Sequence, residues 1–222
     1  MAVIHRTTLR PTKLELLTEW LPARQWHTGA EARPVNAGGF RLDDPAGEVG
    51  IEIVAVTDGE GDTAVTYLVP MTYRAGPLAG AEHALIGTME HGVLGKRWVH
   101  DATHDPVFVT QLYALLTGRT QAQAQSETDA PDPTVVVSPA PAAGDAADVE
   151  LVRVTEGRDH TDVVVRVPGA SAPLTLRVRR VLRAGADSAT EGGGRVTAEW
   201  RLSDGTTARG EFAAVLTEAG QG

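Results

Sequence analysis

Between Thr63 and Tyr73 every second position is apolar or aromatic: Val65, Tyr67, Val69, Met71 and Tyr73. The same period of two returns at Val196, Ala198, Trp200 and Leu202, with Arg195, Thr197, Glu199 and Arg201 between them. Side chains alternate across a strand and recur every 3.6 residues on a helix, so this spacing commits both stretches to strands with one covered face. VGIEIVAVT joins them: Val49, Ile51 and Ile53 alternate against Gly50 and Glu52, and the run is continuously apolar over Val54–Val56, as in a strand buried on both faces. Asp58-Gly59 and Gly61 mark a turn before Thr63, which makes a β-hairpin. Pro70 interrupts its second strand and places that end at a sheet edge or a bulge.

Helices are few and carry clear end signals. Thr12 and Glu15 form a T-x-x-E capping box before LELLTEW, with Leu14, Leu17 and Leu21 on one face and Leu16 and Trp20 beside it. Pro22 ends that helix. Asp105 suits an N-cap, Pro106 the first helical position and Gly118 the position past the end. Between them Phe108, Val109, Leu112, Leu115 and Leu116 form the apolar face. Ala2–His5 and GGFRL read as short strands, Ala81–Met89 fits either a short helix or extended chain, and Val93–Val99 reads as a strand.

Residues 121–150 carry six acidic and no basic side chains, four prolines and no aromatic residue. That composition predicts an acidic linker with little fixed structure, in which Val135–Val137 is the one stretch suited to an edge strand. Beyond it, VELVRVT, TDVVVRV, LTLRVRRVL, RVTAEWRL and RGEFAAVL read as strands, with the hairpin at Asp204-Gly205 the clearest turn. Five strands in about seventy residues are marginal alone, so this part is expected to pack on the first or pair with its sheet. The expected fold is α+β: an antiparallel sheet with flanking helices over residues 1–120, an acidic Pro/Ala-rich linker over 121–148, and a small antiparallel all-β domain over 149–218.

A formal charge of -9 opposes nucleic acid as the main partner, because phosphate binding needs a basic field. No cysteine is present, so no disulfide or thiolate chemistry is available. No stretch reaches the roughly 18 consecutive apolar residues of a membrane span, which predicts a cytoplasmic protein without a membrane partner. His100 and His104 in HDATHD are spaced as helical metal ligands, but Asp105 and Pro106 start the helix after them, and no metal or other cofactor is expected. GTMEHGVLGKRW fails as a phosphate loop: Glu90 stands where the first glycine belongs, and Arg97 where Ser or Thr would hold magnesium. No G-x-S-x-G elbow occurs. Arg177, Arg179, Arg180 and Arg183 form a local basic strip that suits a solvated sheet face or a dock for the acidic linker.

WLPARQW, GGFRLDDPAGEVGIE, YLVPMTYRAGPL and LIGTMEHGVLGKRWVHD followed by DPV resemble the N-terminal cap domain of actinobacterial maltokinases over about residues 1–120. The resemblance implies a cystatin-like curved antiparallel sheet with flanking helices. In the kinases such a cap precedes a catalytic lobe that phosphorylates maltose with ATP and magnesium, in the trehalose-to-glycogen route. That chemistry needs a catalytic Asp, a downstream Asn and a metal-binding Asp. The one asparagine of this chain, Asn36, lies in the cap region. His160-Thr161-Asp162 imitates the start of an H-x-D loop, but Val167 stands at the asparagine position, and residues 151–222 contain no lysine.

The expectation is a non-catalytic accessory protein of maltose, trehalose and α-glucan metabolism, with no catalytic residue assigned and a carbohydrate-active enzyme or sugar kinase as partner. Arg74, Glu90, His91, Lys96 and Arg97, in and beside the glycine-punctuated block Gly76–Trp98, are the candidate interaction surface. The alternatives are a maltooligosaccharide-binding module, stacking sugars on Trp20, Trp26 or Trp98, and a degenerate or partial ATP-dependent sugar kinase. Large aromatics more often pack in cores than stack on ligands.

Overall fold

A computed structural model describes residues 9–125, 130–185 and 193–216. The expected strand at Ala2–His5, part of the EGGGR loop and the end of the 149–218 segment lie outside them. In chain order the elements are β1 (Leu9–Arg10), α1 (Lys13–Trp20), β2 (Val35–Leu42), β3 (Gly50–Asp58), β4 (Val65–Arg74), β5 (Leu85–His91), β6 (Gly95–Asp101), α2 (Pro106–Leu116), β7 (Val136–Ser138), β8 (Glu150–Glu156), β9 (His160–Arg166), β10 (Leu174–Arg179), β11 (Arg195–Arg201) and β12 (Thr207–Leu216). They form two antiparallel six-stranded sheets, ordered β1-β5-β6-β4-β3-β2 and β7-β11-β12-β10-β9-β8. The molecule is mostly β, with less helix than an α+β reading implies.

Both helices begin as their sequences dictate. The Thr12 side chain accepts from the Glu15 N–H, and the Glu15 carboxylate accepts from the Thr12 N–H at 2.6 Å. Hydrogen bonds from the Thr12 N–H, and then from the Thr12 hydroxyl, to this carboxylate hold the Glu15 carboxyl below its usual pKa. Pro22 does not stop the chain abruptly but sits in a single 3-10 turn, Leu21–Ala23. Leu16, Leu17, Trp20 and Leu21 are buried against Val54, Val56, Tyr67, Val69 and Met71 on one face of the first sheet. The approach is close at Gly87 of β5, where a Cβ would lie 2.6 Å from Leu16 Cδ2, so a larger residue there would force Leu16 to move.

The opposite face of the first sheet, with Phe40, Leu42, Ile51, Ile53 and Leu68, shares one continuous core with α2 and with Val163, Val165, Leu176, Val178, Trp200 and Phe212 of the second sheet. Helix α2 is therefore a filling between two sheets. This explains why Tyr113, Ala114 and Gln111 are buried along with the apolar face anticipated from spacing. Asp105 accepts from the Val107 N–H, Pro106 opens the helix, and Gly118 takes a left-handed φ of 70° past its end.

Residues 121–125 and 130–148, where composition suggested an open linker, run across the edge of this core. Gln123 exchanges backbone hydrogen bonds with Arg41, the Ala140 N–H donates to Leu116, and the Ala143 N–H donates to the Tyr113 hydroxyl. β7 pairs with β11 and supplies the sixth strand of the second sheet. Val135, Val137 and Ala140 pack on the core, so a few small apolar side chains hold this stretch against it.

Pro70 corrects a second expectation. It lies in β4, an inner strand between β3 and β6, opposite Ile53. Its missing N–H does no damage because β4 changes partner there. On the side away from β3, the Leu68 N–H donates to Arg180, and the Leu182 N–H donates to Thr66. β6 begins to pair only at Met71. Pro70 shares the strand parity of Leu68, so its nitrogen points into the gap between these two partners.

Arg180 ties the halves together. It is 0% exposed, its Nη2 donates to Asp101 and to Thr103, its Nε donates to Thr161, and its guanidinium lies 5.2 Å from the centre of the Trp26 ring. Removing one member of a buried pair strands the other charge. Arg180→Ala is therefore expected to lower unfolding free energy by about 3–5 kcal/mol in urea denaturation; a loss below about 1 kcal/mol, the range of a surface pair, would contradict the role given to this contact.

Candidate functional site

α1 is eight residues long, about 12 Å. It covers the Val54–Val56 end of its sheet face and leaves the other end bare. Arg41, Glu52, Tyr73 and Arg97 stand there, from β2, β3, β4 and β6, and floor an open groove of about 440 Å3. Leu9 and Lys13 close it on the α1 side, the Asp44–Val49 loop and Gln125 on another, and Met89, His91 and Leu94 on the side of the β5–β6 hairpin.

Glu52 is the centre of the floor. Its Oε1 accepts from Lys13 Nζ at 2.5 Å and from Gln125 Nε2 at 3.1 Å, and its Oε2 accepts from the Tyr73 hydroxyl at 2.8 Å. Burial, and then the neighbouring Glu52 charge, push the Tyr73 phenol well above its ordinary pKa, so it stays a donor. The rim loop is fixed by Asp44, whose carboxylate accepts from the N–H groups of Ala46, Glu48 and Val49. His91 Nδ1 accepts from Val93 and Leu94 N–H, and the Arg97 guanidinium donates to the Leu94 carbonyl, so the hairpin wall is also braced. The arrangement offers donors, acceptors and apolar surface in one concavity, which is the chemistry of binding.

The residues anticipated as an interaction surface divide. His91 and Arg97 line the groove, and Lys96 lies over the Trp98 ring with Nζ 4.9 Å from its centre. Glu90 is exposed, opposite Arg10 and Lys96 on neighbouring strands. Arg74 is turned to structural use: its guanidinium grips the buried Asp105 carboxylate with two contacts of 2.6 Å, which raises the Arg74 pKa. Trp20 and Trp26 are 7% and 2% exposed, tilted against each other with ring centres 5.8 Å apart in the α1 core, and show no ring face to solvent. Trp98 is half-buried. The most exposed apolar side chains of the region are Val93 and Leu94 at the hairpin tip, 63% and 46% exposed.

The other motifs resolve into structure. The four arginines of the basic strip separate: Arg177 pairs with Asp162, Arg179 with Glu211, Arg180 is buried and Arg183 is exposed. His160–Asp162 begin β9, a strand laddered on both sides, and Asp162 is held by Arg177. In HDATHD, His100 is buried and accepts from the Leu78 N–H, while His104 faces His83 at 3.2 Å. Among the described residues no three His, Asp or Glu side chains converge as metal ligands, and no helix is long and apolar enough to cross a membrane.

Residues 20–105 match the family model of the maltokinase N-terminal cap domain. The chain carries a maltokinase cap-like domain. The match runs from the last residue of α1 to the N-cap of α2, so this domain supplies the groove floor, the rim loop and the hairpin wall. Leu9, Lys13 and Gln125 approach from outside the matched span. No curated protein matches the chain. Glu52, Tyr73, Arg41, Lys13 and Gln125 were not singled out by sequence reasoning. One signal pointed to Glu52: by parity it shares a face with Val54 and Val56, and a carboxylate in line with core valines asks for partners.

Burial lowers the pKa of both His100 and His104, against the opposing pull of Asp105 and Asp101 respectively. The unfolded chain then takes up protons at a higher pH than the folded one. Stability is complete above the ordinary histidine pKa of about 6.5 and is lost as pH falls below it, by up to ~1.4 kcal/mol per pH unit for each histidine. Melting temperature is expected to fall between about pH 6.5 and 5, and to fall less steeply in His104→Gln; identical slopes in the two proteins would exclude His104 as a source.

Proposed function

We propose that this chain is a non-catalytic, cytoplasmic accessory protein of maltose, trehalose and α-glucan metabolism, which docks a sugar kinase or another carbohydrate-active enzyme. The observation that carries the reading is the maltokinase cap match over residues 20–105. In this reading the first sheet, with α1 across one face, is the cystatin-like body of the cap. The β5–β6 hairpin is the docking element. It lies within the matched span, and it presents Val93 and Leu94 at its tip with Glu90 and Lys96 beside them.

Two features speak against the degenerate-kinase alternative. The H-x-D imitation is laddered into β9, and no lysine follows Lys96 in the chain. The sugar-stacking form of the binding-module alternative loses support from the burial of Trp20 and Trp26. Photo-cross-linking from Leu94 in the native cell, read by mass spectrometry, is expected to return a sugar kinase or glucan-processing enzyme, and Val93→Asp in the same chain is expected to abolish the adduct. Cross-links confined to proteins unrelated to carbohydrate would overturn the assignment. With ATP, magnesium and maltose the protein is expected to give no sugar phosphate; turnover above a no-protein blank would return it to the enzymes.

A further inference from the structure

We propose that the groove floored by Glu52 is a binding site for a neutral, hydroxyl-rich ligand of about disaccharide size. The choice of probe sugars rests on the metabolic reading above, while the site itself rests on geometry. Its volume, about 440 Å3, lies within the ~300–1,000 Å3 span of small-molecule sites. Its charges decide the class of ligand. Lys13, Arg41 and Arg97 are balanced by Asp44, Glu48 and Glu52 around one concavity. An anion would meet three carboxylates and a cation three basic groups, so neither gains from the local field. A neutral molecule carrying both donors and acceptors suffers no such opposition.

The floor is also already organised for such a ligand. Three donors fix the Glu52 carboxylate, which leaves it acceptor capacity for a further hydroxyl, since an ionised carboxylate has about four lone-pair sites. The Tyr73 hydroxyl is locked as the donor to Glu52, so its remaining capacity toward a ligand is as an acceptor. Gln125 spends one amide hydrogen on Glu52 and keeps the rest of its amide for the ligand. Leu9, Val49, Met89 and Leu94 supply apolar walls for the C–H faces that a sugar ring presents between its hydroxyls. Pre-fixed polar groups lose little freedom on binding, which favours affinity in a site of modest size.

Titration of the full chain with maltose, trehalose and inorganic phosphate, followed by backbone amide NMR shifts, tests the proposal. One of the two sugars is expected to move the amides of Val49, Gly50, Glu52 and Gln125 saturably, with a Kd of about 1 mM or below. Phosphate is expected to leave them in place. Gln125→Ala, a change at the rim, is expected to weaken sugar binding about three- to tenfold, the effect of one hydrogen bond, and a matched thermal melt checks that the variant is folded. Glu52→Gln is expected to weaken it as well. The proposal is overturned if neither sugar moves these amides, if the shifts map to Trp98, if phosphate is what binds, or if folded Gln125→Ala binds unchanged. The cross-linking experiment reads the partner alone, so a captured partner with no sugar binding removes the groove assignment and leaves the accessory reading standing.

Discussion

The contact between Arg180 and Asp101 is the constraint around which the rest is arranged. A guanidinium removed from water is tolerated only when its charge is met, and the groups that meet this one come from three separate parts of the chain. Asp101 ends β6, Thr103 lies in the turn that follows, Thr161 is in β9, and Trp26 follows α1. Asp101 also accepts from the backbone and hydroxyl of Thr103, which fixes the turn leading to Asp105. Asp105, gripped by Arg74, caps α2. Two ion pairs four residues apart thus set where α2 starts and at what angle it enters the space between the sheets.

What the sequence made legible is what is local. The period-two strands, the Asp-Gly turns, the capping box at Thr12 and the cap at Asp105 depend on residues within a turn of one another, and all appear in the structure. What it concealed depends on distant partners. Pro70 looked like an edge residue because edge strands tolerate proline, whereas an inner strand that changes partner tolerates it equally. The acidic, proline-containing segment after α2 looked solvated because its charges dominate its composition, while its small apolar side chains do the anchoring. Arg180 was counted with its neighbours as a basic strip, yet strand parity separates it: Arg177 and Arg179 share one face, and Arg180 falls with the buried Leu176 and Val178 on the other.

The groove was concealed for the same reason. Glu52 and Gln125 are 73 positions apart and Lys13 and Glu52 are 39 apart, so no window of sequence contains the set. Their meeting follows from the shortness of α1, which leaves one end of a sheet face uncovered, and from the passage of the chain beyond α2 along β2. The cap-like domain alone therefore supplies a floor and two walls, and the flanking residues complete the enclosure.

The change of partner along β4 has a consequence for how the molecule comes apart. A strand laddered to β3 along one side, and to β6 and then Arg180–Leu182 along the other, belongs to both halves at once. Separating the sheets would strip the outer side of β4 at Thr66–Leu68 and uncover the far flank of α2 in the same event. Opening therefore has no cheap intermediate stage, and the two sheets are bound into one cooperative unit. The amide of Leu68, hydrogen-bonded to Arg180 across that junction, is the gauge of it: its proton exchanges with water only when the halves part.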